Sequence, residues 1–210
     1  MYKILETDFC VVYDDVMKSD EFSQVWQYTQ MENYSIPHIN SWSKVWRTTD
    51  GLPLGGNQYD ASKSPFGNSM DLAHHYIKET SKLHSEMIGE YENLHLRSYI
   101  YPRGTKLSWH NDKGYSAAAI FYTHPYWGST WGGELLLAKT QNIPAVPSPC
   151  LDHTFEDSLL SQYGYGSYIT PKPNRLVITK GGIWHQINRV DEDAGDHCRT
   201  SIVGFFTNKS

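Results

Sequence analysis

The sequence predicts an α+β chain that is mainly β, a double-sheet sandwich backed by N-terminal helices. Helical periodicity is confined to the chain before Gly89, and twofold alternation of apolar and polar residues sets in at Leu94. From there to the C-terminus, short apolar runs are separated by Gly, Pro, Asn and Asp. At 210 residues the chain fits one domain, with helices and loops over 1–93, a β core over 94–210 and an insertion at 140–173.

Residues 9–13 read as a short strand. Ser19 or Asp20 can cap a helix that carries Phe22, Val25, Trp26 and Thr29 on one face. From Tyr34 to Gly67 the pattern breaks into Pro, Gly, Asn and Ser, so loop or short edge strands are expected, with Trp42, Trp46 and Arg47 embedded in them. A second helix is expected after Pro65, with a stripe of Ala73, Tyr76, Ile77, Thr80, Leu83 and Met87, ending at Gly89. Leu94, Leu96, Ser98 and Ile100 then fall on one strand face, and His95, Arg97, Tyr99 and Tyr101 on the other. Further strands are expected at 116–123, 134–138, 175–179, 183–187 and 198–206. The stretch 140–173, with a helical turn at 155–162, is long for a structureless loop and reads as a lid or binding segment.

Composition narrows the function classes. The net charge is −5 and there is no Lys/Arg run, which argues against a general nucleic-acid binder. Cys10, Cys150 and Cys198 are odd in number and widely spaced, giving neither a bridged framework nor a CxxC clip, so reduced thiols are expected. The only apolar run near the N-terminus is short and flanked by acids, so neither a signal peptide nor a membrane span is expected, and the location expected is cytoplasmic.

Chemistry concentrates in the second half. In Trp109-His110-Asn111-Asp112, an imidazole and a carboxylate two residues apart share a face at a strand end and can chelate one metal. With ten His and thirteen Asp in the chain, about 0.6 such triplets are expected by chance, so the triplet alone means little. Gly181-Gly182-Ile183-Trp184-His185 adds a tight turn that delivers a second histidine into a strand. Two histidines and one carboxylate occupy one face of an octahedral ion and leave the opposite positions open, which suits Fe(II); zinc accepts the same three. Arg199 and Ser201, two apart on a strand, share a face and can together grip a remote carboxylate, a device that a zinc hydrolase does not need.

Taken in order, Tyr101-Pro102-Arg103-Gly104, His110-Asn111-Asp112, Ile120-Phe121-Tyr122, Trp131-Gly132-Gly133-Glu134-Leu135, Pro173-Asn174-Arg175-Leu176-Val177, His185 and Arg199-Thr200-Ser201-Ile202 form one pattern. The chain from Leu94 onward resembles the prolyl-4-hydroxylase-like branch of the Fe(II)/2-oxoglutarate-dependent oxygenases. That resemblance implies a double-stranded β-helix (jelly-roll, cupin-like) core and the use of Fe(II), 2-oxoglutarate and O2, with ascorbate as a stimulant. It implies that His110, Asp112 and His185 are the catalytic metal ligands. Arg199, Ser201 and Tyr122 would hold the far carboxylate of 2-oxoglutarate, and Tyr101 would line the same pocket. Hydroxylation of an unactivated sp3 C–H is implied, on an amino-acid-like or prolyl-type substrate, either a small molecule or a peptide. Retention of Asp112 favours this over halogenation, because halogenating relatives carry Gly or Ala there. Arg97, Trp109 and Trp131 are the expected substrate contacts, with Tyr99, Trp127, Trp46 and Arg47 as further candidates. The chain departs from the pattern at Leu107, where many relatives carry tyrosine, and in the long acidic run 190–196 between His185 and Arg199, which reads as a solvated turn. Two other classes are weighed: a non-catalytic metal- or ligand-binding β-sandwich sensor, and a zinc-dependent hydrolase using Glu134 as its acid-base group.

Overall fold

The computed structural model describes residues 1–36, 53–59, 69–138 and 164–208. Trp42, Trp46, Arg47, Pro65, Cys150 and the turn expected at 155–162 lie outside them. In chain order the elements begin with β1 (Tyr2–Glu6), β2 (Cys10–Asp14), α1 (Ser19–Met31), β3 (Leu54–Tyr59), α2 (Ser69–Lys82) and α3 (Ser85–Ile88). There follow β4 (Leu94–Tyr101), β5 (Leu107–His110), β6 (Tyr115–Tyr122), β7 (Leu135–Ala138), β8 (Gly166–Ile169), β9 (Leu176–Lys180), β10 (His185–Ile187) and β11 (Arg199–Thr207). A seven-stranded sheet runs β1-β2-β9-β6-β11-β4-β3, and a four-stranded sheet runs β5-β10-β7-β8.

The helices cover the outer face of the larger sheet. Val25 of α1 and Met70, Ala73 and Ile77 of α2 pack with Leu94, Leu96, Ala119, Phe121, Ile178, Ile202 and Phe206 in one buried cluster. Burying each large side chain there is worth roughly 1.5–3 kcal/mol, enough to hold the helices on the sheet. The cap of α1 is Lys18 rather than Ser19 or Asp20; its backbone N–H donates to the Glu21 side chain at 3.3 Å. The single second helix expected from periodicity is two. Leu83 and His84 donate backbone hydrogen bonds to Thr80 and Ser81, three residues back, tightening the chain into a turn that leaves Leu83 65 % exposed instead of on the buried stripe. His84 is buried there against the Tyr13 hydroxyl at 2.8 Å, and Gly89, at φ +74, ends α3 as expected.

The strands fall close to their expected places, and β3 is an edge strand as its composition suggested. Two strands were not anticipated: β1 and β8, the latter at the C-terminal end of the expected insertion, where it pairs with β7. The chain passes from β9 in the larger sheet to β10 in the smaller through Gly181-Gly182. A Cβ at Gly181 would stand 2.0 Å from the Tyr115 carbonyl oxygen, so only glycine permits this crossing. Among the described residues no helix is long and apolar enough to cross a membrane, and Cys10 and Cys198 are unbridged.

Asp14 at the end of β2 takes two hydrogen bonds from Arg175, just before β9: 2.7 Å from Nε and 3.1 Å from Nη2. Lys172 adds a third at 2.7 Å. Burial works against the Asp14 charge, but the Arg175 and Lys172 hydrogen bonds outweigh it and hold the carboxyl below its ordinary range. Because the folded pKa is depressed, this stabilisation is present at neutral pH and is lost as pH falls through the ordinary carboxylate range towards the folded value. Asp14→Ala should cost about 3–5 kcal/mol by stranding a buried guanidinium, read as a lowered urea midpoint at pH 7. The gap from the parent protein should narrow as the pH is taken below the carboxylate range.

Candidate metal centre

His110 closes β5 and His185 opens β10, and the two residues face one another across that antiparallel pair. Their ring centroids are 4.2 Å apart. Asp112, two residues beyond His110 in the turn leaving β5, brings Oδ2 to 3.5 Å from His185 Nε2. One ligand atom from each of the three lies within 4.8 Å of the others.

Both imidazoles are oriented by backbone. Nδ1 of His110 donates to the Ser108 carbonyl at 2.7 Å, and Nδ1 of His185 to the Ile183 carbonyl at 2.8 Å. A carbonyl oxygen only accepts, so Nδ1 bears a proton in both rings, and the neutral imidazole then presents its lone pair at Nε2. Burial, then the neighbouring His185, pushes His110 down to about 4, so its imidazole is uncharged at neutral pH, as a metal ligand must be. Two imidazoles and one carboxylate converging in this way can hold a divalent first-row cation on one face.

The inner face of the larger sheet is laid out in rows by strand register. Arg199 on β11 faces Tyr101 on β4, and Ser201 faces Tyr99 on β4 and Tyr122 on β6. Arg199 has no exposed surface. Its Nε donates to the Gly133 carbonyl at 2.8 Å and its Nη2 to the Tyr122 hydroxyl at 3.4 Å. Its guanidinium carbon lies 5.0 Å from the centre of the Tyr101 ring and 4.9 Å from that of Tyr122. Gly133 makes this possible: it sits at φ +73, and a Cβ there would be 2.8 Å from Arg199 Cδ. Two buried polar atoms, Arg199 Nη1 and Ser201 Oγ, have no hydrogen-bond partner among the described residues. A buried guanidinium with an unmatched nitrogen and a hydroxyl two residues along the strand fit one carboxylate group.

A cavity of about 200 Å³ lies between the sheets, and His110, Asp112 and His185 are on its wall. Tyr101, Leu107, Ile120, Leu135 and Ile187 give it an apolar lining, so Leu107 places a hydrocarbon where a tyrosine would bring a hydroxyl. Arg199, Ser201 and Tyr122 are not on that wall; Tyr101 is the shared neighbour, lining the cavity and touching the guanidinium.

Arg97 and Tyr99 line the cavity, but two of the expected substrate contacts do not. Trp109 neighbours His110 on a strand, so it points to the opposite face, where it packs with Trp184 and Ala138. Trp131 is turned aside ahead of the positive-φ pair Gly132-Gly133 and packs on Trp127 at 5.3 Å and His197 at 4.6 Å. Glu134 accepts from Asn188 Nδ2 at 2.9 Å and is not on the cavity wall, which removes the acid-base group of the hydrolase reading. The acidic run is exposed at Asp191, Glu192, Asp193 and Asp196, and buried Val190 and Ala194 pin it down. Gln58, His95, Tyr115 and Phe205 also line the cavity and were not anticipated. His95 and Phe205 share strand parity with Arg97 and Ser201, so alternation could have found them. Gln58 lies on β3, whose sequence has no periodic signal.

In sequence, the profile of the 2OG-Fe(II) oxygenase superfamily matches residues 94–207. No curated protein matches the chain. In structure, the chain is similar to a prolyl-4-hydroxylase from Pseudomonas putida, with a TM-score of 0.66 at 13% identity over 96% of this chain and 93% of that one. It is similar to a Trichoplax adhaerens prolyl hydroxylase, solved with a hypoxia-inducible-factor peptide fragment, at 0.68 and 15% over 96% and 84%. A non-heme α-ketoglutarate-dependent epimerase, SnoN from nogalamycin biosynthesis, matches at 0.61 and 12% over 96% and 78%. At such identities these structures share the fold. The profile spans more than half of the sequence and the fold agrees with it, so this chain belongs to the 2OG-Fe(II) oxygenase superfamily, whose enzymes use Fe(II), 2-oxoglutarate and O2.

Proposed function

We propose that this oxygenase hydroxylates an unactivated sp3 C–H of an amino-acid-like or prolyl-type substrate, releasing succinate and CO2. The observation that carries the reading is the pairing of a His110, Asp112 and His185 cluster with a buried, incompletely matched Arg199 and Ser201 on the facing sheet, linked through Tyr101, which lines the triad's cavity and touches the guanidinium. Bound iron with 2-oxoglutarate and O2 would supply the oxidising power. His110 and His185 would present Nε2 and Asp112 a carboxylate oxygen, with the backbone bonds at Nδ1 keeping both rings in register. Arg199, Ser201 and Tyr122 would bind the far carboxylate of the co-substrate. Leu107, Ile120, Leu135 and Ile187 give the cavity a low-dielectric wall, which would strengthen ionic contacts within it. The substrate class is supported by the cavity's small size and by the prolyl hydroxylases that share the fold.

The direct test is anaerobic loading with Fe(II) and 2-oxoglutarate, exposure to O2 with a library of amino acids and proline peptides, and measurement of succinate with substrates gaining one oxygen atom. Asp112→Ala should keep its circular dichroism spectrum and melting behaviour while losing hydroxylation; undiminished hydroxylation in that variant would count against the ligand assignment. Arg199→Met should raise the KM for 2-oxoglutarate roughly a hundredfold, the equivalent of about 3 kcal/mol for a buried charge pair. Its thermal stability should stay within about 1 kcal/mol of the parent, because the substitution also removes a buried charge with an unmatched nitrogen.

A further inference from the structure

The rows of the larger sheet continue outward past the triad. Arg97 on β4 faces Val203 on β11 and Gln58 on the edge strand β3, and His95 faces Phe205. The Phe205 ring lies 4.6 Å from that of Tyr115, at 33°, forming an aromatic wall beside the basic row. All six residues line the cavity that holds the triad. Arg97 is four residues from Tyr101, which faces Arg199, so at ~3.4 Å per residue the two guanidinium-bearing positions stand roughly 14 Å apart along the strands. The metal cluster looks onto this face from the other sheet. Arg97 is the arginine on the described wall, and His95 stands two residues from it on the same strand face.

We infer that Arg97, with Gln58 beside it, binds a carboxylate of the substrate, so that this enzyme acts on a free small acid and not on a residue inside a peptide chain. The inference rests on the oxygenase reading above and narrows its substrate. A guanidinium fork matches a planar carboxylate through two parallel hydrogen bonds, whereas an internal peptide unit offers one neutral carbonyl. The Tyr115 and Phe205 rings then take the apolar part of the same molecule. Two cations at the ends of one face give each of two acids its own anchor: Arg199 for the co-substrate and Arg97 for the substrate, with the metal cluster opposite the space between.

The test is ligand-observed NMR on protein loaded with Zn(II), which does not activate O2, and 2-oxoglutarate. The probes are the proteinogenic amino acids and N-acetylproline, each against its primary amide. At least one free acid should bind about tenfold or more tightly than its amide, as a charge-assisted contact implies. Arg97→Gln should reduce that preference to within about threefold by weakening the acid alone, and Arg97→Lys, which keeps the charge and loses the fork, should fall between. The lysine variant carries the test if the glutamine variant does not fold. An absence of any acid preferred over its amide, or a preference that survives in both variants, overturns the inference. Succinate release is read in parallel on the Fe(II) enzyme. Substrate-stimulated release without acid preference overturns the substrate assignment and leaves the oxygenase reading standing; acid preference without succinate release does the reverse.

Discussion

A guanidinium with no exposed surface lies between the two sheets, and holding it there constrains much of what surrounds it. Taking such a charge out of water costs several kcal/mol unless it is matched by hydrogen bonds and counter-charge. Arg199 is matched in part. Gly133 offers a carbonyl and Tyr122 a hydroxyl, and the faces of Tyr101 and Tyr122 lie beside the cation. One nitrogen is left, beside a serine hydroxyl that is also left. A fold that buries a cation and completes only part of its shell has placed a demand for an anion at that point, and the demand is specific in shape because the guanidinium is planar. The neighbouring Gly-Gly turn follows from the same demand: no residue with a Cβ lets the backbone carbonyl approach the arginine so closely.

The smaller sheet answers from the other side. Its β5 and β10 strands set two imidazoles directly opposite one another, and the turn after β5 adds the carboxylate. Each sheet therefore carries one half of the arrangement, a buried cation on one and on the other a cluster that could hold a metal ion, and facing sheets pack about 10 Å apart. A ligand that reaches both must be a short molecule with an acid at the Arg199 end and a metal-binding donor at the other. That reading needs no motif; it comes from layer spacing and the polarity of the two faces, and it agrees with the co-substrate of the superfamily to which the chain belongs.

The parts of this arrangement that depend on alternation were legible in the sequence. Parity along β4 and β11 separated core from cavity, and it put Arg97, Tyr99 and Tyr101 with Arg199 and Ser201. The same parity, applied one residue away from His110, would have sent Trp109 to the outer face, so that miss was one of consistency and not of information. Other features were not legible. The break of the second helix at Leu83 depends on His84 finding Tyr13 in a distant strand, and periodicity carries no trace of that contact. The strand β3, with its two glycines and exposed asparagine, gains its place by pairing with β4, so Gln58 entered the cavity without a local signal. The position of Trp131 was set by the positive-φ glycines that follow it, a backbone property that the motif contained but hydropathy does not express.

Structures that share this fold include prolyl hydroxylases and an epimerase, so the layered frame does not by itself decide what is done to a substrate. The register of the larger sheet suggests how one frame separates the two tasks. Rows at the Arg199 end are those proposed to hold the co-substrate that the superfamily uses. Rows further out, at Arg97 with Val203 and at His95 with Phe205, stand four and six residue pairs from the Arg199–Tyr101 row on the same strands. Substitution in the outer rows can alter the substrate without touching the inner ones, because side chains separated by such steps on one face are beyond each other's contact. The outer row of this chain, Arg97 set against an aromatic wall, is therefore where the proposed choice of substrate would be made.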